Sequence, residues 1–408
     1  METKWTATQR NVVIAAVGTW TLDAFDFFLL TFLLSDLATA FSVDIKRITL
    51  AIFLTLVVRP VGALIFGRAA EKFGRKPVLM VNIVIFSVLE LASGLAPTLA
   101  AFLALRVLYG VAMGGVWGVA SSLAMETIPA RSRGLVSGMF QAGYPGGYLL
   151  AAIIYGLFSS LGWRELFIIG TLPIFMVVFI WFKVPESPVW LTSRSRKSST
   201  ALLPILKREW RLGVYAVLLM ACFNFFSHGT QDLYPTFLRV QHHFDPHTVA
   251  TIAIVYNLAA MCGGMVFGTL SQRIGRRKAI IIAALLSLPV LPLWAFASGT
   301  WMIGLGAFLM QFMVQGAWGV IPAYLNELAP EGTRAVLPGF VYQLGNLLAS
   351  VNGTLQASIA EQHGNNYGLA MALVAGTVAV LISIFIYFGK DTQNQQFVVD
   401  KDIAKSAK

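Results

Sequence analysis

The chain has little charge and almost no cysteine. Of its 408 residues only 12% are charged, about half the share of a soluble globular chain. With 57% hydrophobic residues and a mean hydropathy of +0.72, that scarcity excludes a soluble enzyme, a disordered chain and a fibrous repeat. Cys222 and Cys262 both fall inside apolar runs, so they offer neither a disulfide framework nor metal-ligand spacing. There is no Walker A motif, no HExxH, no nucleophile elbow and no CxxC. ATP-driven work and catalysis are therefore not expected, nor is any cofactor. His242, His243 and His247 lack an acid or thiol cluster beside them, and no metal site is expected. No basic stripe is interleaved with exposed aromatics, which argues against a nucleic-acid partner. A cleavable leader is not expected either, because the first apolar run is too long and more spans follow it.

Long apolar runs are what the chain has instead. They fall at 12–34, 48–67, 77–95, 98–124, 135–158 and 165–183, then at 213–238, 248–270, 279–298, 300–327, 336–358 and 366–388. Hydrocarbon offers no water to satisfy open backbone groups, so each run reads as a helix. Twelve spans of about 20 residues use about 240 residues, which leaves no room for a large soluble domain. The expectation is an all-α integral membrane protein in lipid, a monomer, organised as a six-helix bundle (1–183), a cytoplasmic linker (184–212), a second six-helix bundle (213–390) and a cytoplasmic tail (391–408). Lys and Arg exceed Asp and Glu by 30 to 19. With the N-terminus inside, about 24 of the 30 basic residues fall in the N-terminus, the even-numbered connections and the tail. Cytoplasmic segments collect such residues, so both termini are expected in the cytoplasm of a multi-pass protein of the cell's inner (plasma) membrane.

The two halves overlay with a shift of 201. GRAAEKFGRK (67–76) falls on GTLSQRIGRR (268–277), and GVWGVASSLAMETIPARSRG (115–134) falls on GAWGVIPAYLNELAPEGTRA (316–335). Trp117 meets Trp318, Glu126 meets Glu327 and Arg133 meets Arg334. A parallel repeat of two six-helix halves, related by a pseudo-two-fold axis, places a solute path at their interface near mid-membrane.

These residues carry a resemblance. The chain resembles the major facilitator superfamily: GRAAEKFGRK is similar to that superfamily's loop between helices two and three, with Glu71 where Asp is usual. PESPVWL (185–191) is similar to the end of the first half in its sugar and organic-acid branches. Glu71, Arg75 and Lys76 stand at a cytoplasmic helix end within reach of acids such as Glu126. With Arg133, Glu327 and Arg334 they read as gating residues, whose ion pairs hold the inner side shut; helix capping and topology are the competing account.

Ionisable groups inside spans cost at least ~2.5–3.5 kcal/mol on insertion scales and are functional candidates by default. Helix seven holds the densest set. Asn224, His228 and Asp232 follow at i, i+4 and i+8, with Gln231 beside them, a spacing that stacks them on one face. An amide, an imidazole and a carboxylate in one column suit binding and proton relay; a polar seam between helices is the alternative. Asp232, if desolvated, would carry a proton, and Gly229 and Pro235 would allow a local opening. NFFSHGTQDLYPT (224–236) also resembles the signature of fungal Jen-type lactate and pyruvate proton symporters, which group with sialate–proton symporters. That resemblance implies roles in affinity and coupling for His228 and Asp232.

On helix one, Asp23 and Asp26 lie three apart and overlay Asn224 and Ser227 of helix seven. Two close carboxylates in low dielectric do not both ionise, which makes them a proton site unless Arg59 or Arg106 pairs with them. Arg59, before Pro60 on helix two, is either an anchor for a small carboxylate or the counter-ion of Asp23 or Asp26. Arg106 suits coupling or packing as well as substrate contact. Glu90, expected near the outer end of helix three, is expected to reach interfacial water. Gln343 and Asn346 share a face of helix eleven, and the YQLGN resemblance implies that Gln343 lines the solute site. Gln141 and Tyr144 share a face of helix five. Together these imply symport of a small monocarboxylate anion such as lactate or pyruvate with a proton. The competing functions are symport of sialate or an aromatic acid, drug/proton antiport, and a receptor without transport.

Overall fold

The computed structural model describes residues 5–195, 204, 207–393 and 395–397. Parts of the expected linker (196–203, 205–206) and tail (394, 398–408) lie outside the described residues. Eleven helices among the described residues are long and apolar enough to cross a membrane. They are α1 (Ala7–Phe32), α2 (Arg47–Phe73), α3 (Arg75–Gly94), α4 (Leu99–Thr127), α5 (Ala130–Leu161), α6 (Trp163–Lys183), α7 (Trp210–Gln241), α8 (Pro246–Ile274), α9 (Arg276–Phe296), α10 (Thr300–Leu328) and, last in the chain, α12 (Tyr367–Phe388). Between the last two, α11 consists of Leu337–Ala349 and Asn352–Gln362. Its buried Gln343, Asn346, Asn352 and Gln356 make it less apolar than the others, while Leu348, Val351 and Leu355 face outward.

Local chemistry sets where the helices start and where they break. Thr6 and Gln9 form a reciprocal cap at the start of α1, and Asp245 accepts from the N–H groups of His247 and Thr248 at the start of α8. These side chains satisfy backbone donors that the helix itself leaves unpaired. Inside α2 the helix breaks at Val58, just before Arg59-Pro60; proline has no N–H to continue the ladder. The main helix of α7 ends at Gln231, and the chain turns at Asp232 and Leu233 ahead of Pro235. A local opening therefore occurs where Gly229 and Pro235 predicted one.

The repeat is realised in the packing. Helix α1 packs on α5, α2 on α4, α7 on α11 and α8 on α10. Between the halves, α5 packs on α8 and α10, while α11 packs on α2 and α4. Large apolar side chains such as Phe182, Trp301 and Phe388 point outward, as a lipid-facing surface requires. Gly74 and Gly275, which coincide under the 201 shift, both have positive φ, 108° and 100°. Each makes the sharp turn into the next helix that a side chain would strain.

Candidate functional site

A cavity of about 220 Å³ lies between the halves. Helix α7 contributes Asn224, Ser227, His228, Gln231, Asp232 and Pro235, facing Gln141, Tyr144 and Tyr148 of α5. Phe28, Tyr256, Asn257, Gln315, Trp318 and Tyr342 complete the wall. Asn224 stands 14 residues into α7, about 21 Å from its start at 1.5 Å per residue, so the cavity begins near mid-span. It runs towards the face opposite the chain termini. The Asp232 side chain is 45% exposed. The condition of desolvation attached to it in the sequence reading is thus not met; the break in α7 leaves it on the cavity wall.

His228 is held from two sides. Its Nδ1 lies 3.1 Å from Asp232 Oδ2 and its Nε2 lies 2.8 Å from Asn346 Oδ1 of α11. Gln231 donates to Gln311 of α10 (2.8 Å) and Gln315 donates to Ser227 (3.2 Å). Gln356 donates to the carbonyl of Gly229 (2.8 Å). The polar column of α7 is thus both cavity wall and seam, with its outer side chains facing solvent. Tyr144 stacks on Trp20 and holds one edge of the wall. Asn346 does not line the cavity but stands behind His228.

Of the two roles open to Arg59 the geometry favours the counter-ion, and Gln343 is not on the cavity wall where the resemblance implied it. Arg59 is 2% exposed, does not line the cavity, and has its Nη2 3.9 Å from Asp23 Oδ2. It acts as counter-ion to Asp23, although its charge reaches Tyr144, Tyr342 and His228. Gln343 is 1% exposed, and neither end of its amide has a hydrogen-bond partner. Glu90 is also corrected. It is fully buried rather than interfacial, and Arg106 Nη2 binds its Oε2 at 2.7 Å and Ser93 Oγ at 2.6 Å. Asp26 is buried beside this pair. A Cβ added at Gly170 would lie 2.9 Å from Glu90 Cγ and 3.3 Å from Asp26 Oδ1, so the two acids meet across that glycine. Neither Asp26 oxygen has a hydrogen-bond partner. Asp23 and Asp26, three residues apart, thus differ: Asp23 pairs with Arg59, whereas Asp26 lies against Glu90 without a hydrogen bond.

The gating candidates cluster on the face that carries the termini. Arg75 binds Glu126 through Nε (3.0 Å) and Nη2 (2.9 Å) and reaches Glu71 at 3.0 Å. In the second half Arg276 binds Glu327 in the same two-pronged way, at 3.0 and 2.9 Å. The halves are then tied by two bonds that the repeat relates. The Ala335 N–H donates to Glu71 (2.8 Å), and the Gly134 N–H donates to Gln272 (3.1 Å). Arg133 lies 3.8 Å from Glu327 across the seam. The Ala323 N–H donates to Ser137 (2.9 Å), and Asn326 donates to Ser121 (3.3 Å). Glu186, beyond α6, accepts from the N–H groups of Arg75 and Lys76. Burial nevertheless pushes its carboxyl above the usual glutamate range, against the pull of those bonds.

Sequence reasoning missed Tyr256, Asn257, Gln315, Trp318 and Tyr342. Signals existed for some. Gln311 and Gln315 stand four apart on one face of α10, and Trp318 is the counterpart of Trp117. Asn257, an amide inside a span, carried the same signal as Asn224; Tyr256 carried none, since a tyrosine in an apolar run reads equally well as core.

A cavity between two pseudo-symmetric six-helix halves, with hydrogen bonds and an ion pair joining those halves on the face that carries the termini, is the arrangement of a carrier rather than an enzyme. The chain belongs to the Major Facilitator Superfamily, whose model matches residues 17–245 and again 232–405. Among its relatives is the carboxylic acid transporter protein homolog of Saccharomyces cerevisiae, 30% identical over 95% of this chain and 69% of that one. Another is the sialic acid transporter NanX of Escherichia coli, 28% identical over 94% of each. The fold matches that of the proton:xylose symporter XylE with a TM-score of 0.78 over 98% of this chain and 99% of that one, at 18% identity. The chain is a multi-pass membrane transporter grouped with carboxylate and sialate carriers.

Proposed function

We propose that this carrier moves a small monocarboxylate, lactate or pyruvate first among them, together with a proton. The observation that supports this reading is the setting of His228. Both ring nitrogens face an oxygen, Asp232 at 3.1 Å and Asn346 at 2.8 Å, an arrangement in which a doubly protonated ring donates to both. An imidazolium in a cavity lined by Asn224, Gln231 and Tyr144 is a cationic platform for a carboxylate, which takes the Nδ1 N–H by displacing Asp232. Arg59 adds positive potential from behind the wall. Asp26, which has no hydrogen-bond partner, and Asp232, once displaced from His228, are the carboxylates available to bind the coupled proton, while Asp23 stays paired with Arg59. With both termini in the plasma-membrane cytoplasm, as the Lys and Arg distribution favours, the cavity faces outward. Loading neutralises the site, the outer side closes, and the ties among Glu71, Arg75, Glu126, Arg133, Glu327 and Arg334 release as the halves rock.

A second reading keeps the coupling and exchanges the cargo for an aromatic acid. The walls contributed by Phe28, Tyr144, Tyr148, Tyr256, Trp318 and Tyr342 favour it, because flat rings offer stacking surface. Purified protein in liposomes under an inward proton gradient tests both. Accumulation of labelled lactate, with protons entering alongside, is expected. Accumulation of benzoate-like acids alone would move the assignment to the second reading, and uptake of sialate alone would defeat both.

A further inference from the structure

The chain does not stop at the end of α12 but returns across the closed face. Thr392 Oγ1 donates to Glu327 Oε2 (2.9 Å), and Gln393 Nε2 donates to the carbonyl of Gln272 (2.7 Å). This stretch does for the second half what the segment after α6 does for the first, where Ser187 Oγ donates to Glu126 Oε2 at 2.5 Å. The first-half segment then stays in its own half, with Trp190 donating to the carbonyl of Glu71. The second-half segment does not. Arg133 Nη1 donates to the carbonyl of Gln395 at 2.5 Å, and the Phe397 ring, 7% exposed, lies on the seam. The guanidinium carbon of Arg133 is 3.7 Å from the ring centre and that of Arg334 is 4.1 Å from it.

We propose that Phe397 is the pin of the closed gate: one aromatic ring that binds Arg133 of the first half and Arg334 of the second, and must leave before this face opens. The two arginines are equivalent under the 201 shift, so the ring sits where the pseudo-two-fold relates the halves. A ring face attracts a guanidinium, more strongly where water is excluded. Without the ring, two like charges would face one another across the seam. Rocking separates α5 from the segment before α11, and a single ring cannot stay on both. This gate role depends only on the two halves moving apart. It is independent of cargo and proton, so it stands or falls separately from the symport reading.

The test places one reporter thiol, Asn326→Cys, deep in the seam of a chain also carrying Cys222→Ser and Cys262→Ser. The rate at which a bulky maleimide modifies it in liposomes measures opening of the closed face. Phe397→Ala is expected to raise the rate about tenfold, equivalent to roughly 1.4 kcal/mol. Phe397→Leu is expected to match Ala, because it keeps bulk but loses the ring, while Phe397→Trp should label no faster than the parent. Ending the chain after Gln396 gives the same readout should the alanine variant fold poorly. A parental rate in both the alanine and truncated chains, or in the leucine variant, overturns the proposal.

Discussion

His228 of α7 and Asn346 of α11 are joined at 2.8 Å, and that bond carries the imidazole to the cavity wall while leaving Asn346 hidden behind it. His228→Ala removes a charge-assisted partner of the cargo, worth about 1.5–3 kcal/mol. The apparent affinity for lactate in liposome uptake should fall roughly ten- to a hundredfold. Asn346→Ala should act through His228 alone and cost less, about 0.5–1.5 kcal/mol. Equal losses in the two variants would show that Asn346 touches the cargo directly.

Asp23 and Asp26 should separate under mutation. Asp23 shares Arg59, so Asp23→Asn leaves a buried guanidinium without its counter-ion, a change that costs about 3–5 kcal/mol. Folded yield and transport should both drop. Asp26 has no hydrogen-bond partner to lose, and Asp26→Asn should keep lactate exchange while abolishing accumulation driven by a proton gradient. Paired exchange and gradient-driven uptake assays decide this. Intact accumulation in Asp26→Asn would remove that residue from the proton path.

Gly268 touches the other half through backbone alone. An added Cβ would lie 2.5 Å from the Gly134 carbonyl oxygen and 3.0 Å from Gly138 Cα, and neither is the end of a flexible side chain. Gly268→Ala should therefore push the halves apart on the terminal face and close the cavity on the other. Spin labels at the exposed Arg131 and Arg273 should report a longer distance on that face. Unchanged distances would mean that the seam absorbs the methyl group without rocking.

Glu186 provides a pH prediction outside the membrane. Burial raises its pKa in the folded chain, so the folded state holds the proton where the unfolded chain has released it. Its contribution to stability is then full below the ordinary glutamate value and declines as pH rises through the raised value. Glu186→Gln should flatten that part of the profile. Melting temperatures of the two proteins from acid to neutral pH provide the check, and parallel curves would contradict the assignment.

Much of the architecture was legible because the membrane leaves the chain few choices. Runs of apolar residues had to be helices, and the shift of 201 correctly paired Glu126 with Glu327 before any contact was known. The spacing of Asn224, His228 and Asp232 placed them on one wall. The depth of single polar side chains was not legible. Arg59 is a lone charge in its apolar run, and the polar residues of α11 are buried with Gln343, so periodicity does not say which of them reach the cavity. Glu90 reads as interfacial until α4 is seen to bring Arg106 against it. Gln311 and Gln356 look like ordinary polar residues until α10 and α11 dock on α7.

By itself, then, the order of residues determined the number of spans, their doubling and the chemistry on α7, since solvation and backbone hydrogen bonding act on local composition. Tertiary structure alone decided which acid meets which guanidinium, which face is sealed, and that Phe397, far along the chain, ends between Arg133 and Arg334. Those outcomes depend on distances between helices remote in sequence, and charge pairing in a low-dielectric interior changes steeply with such distances.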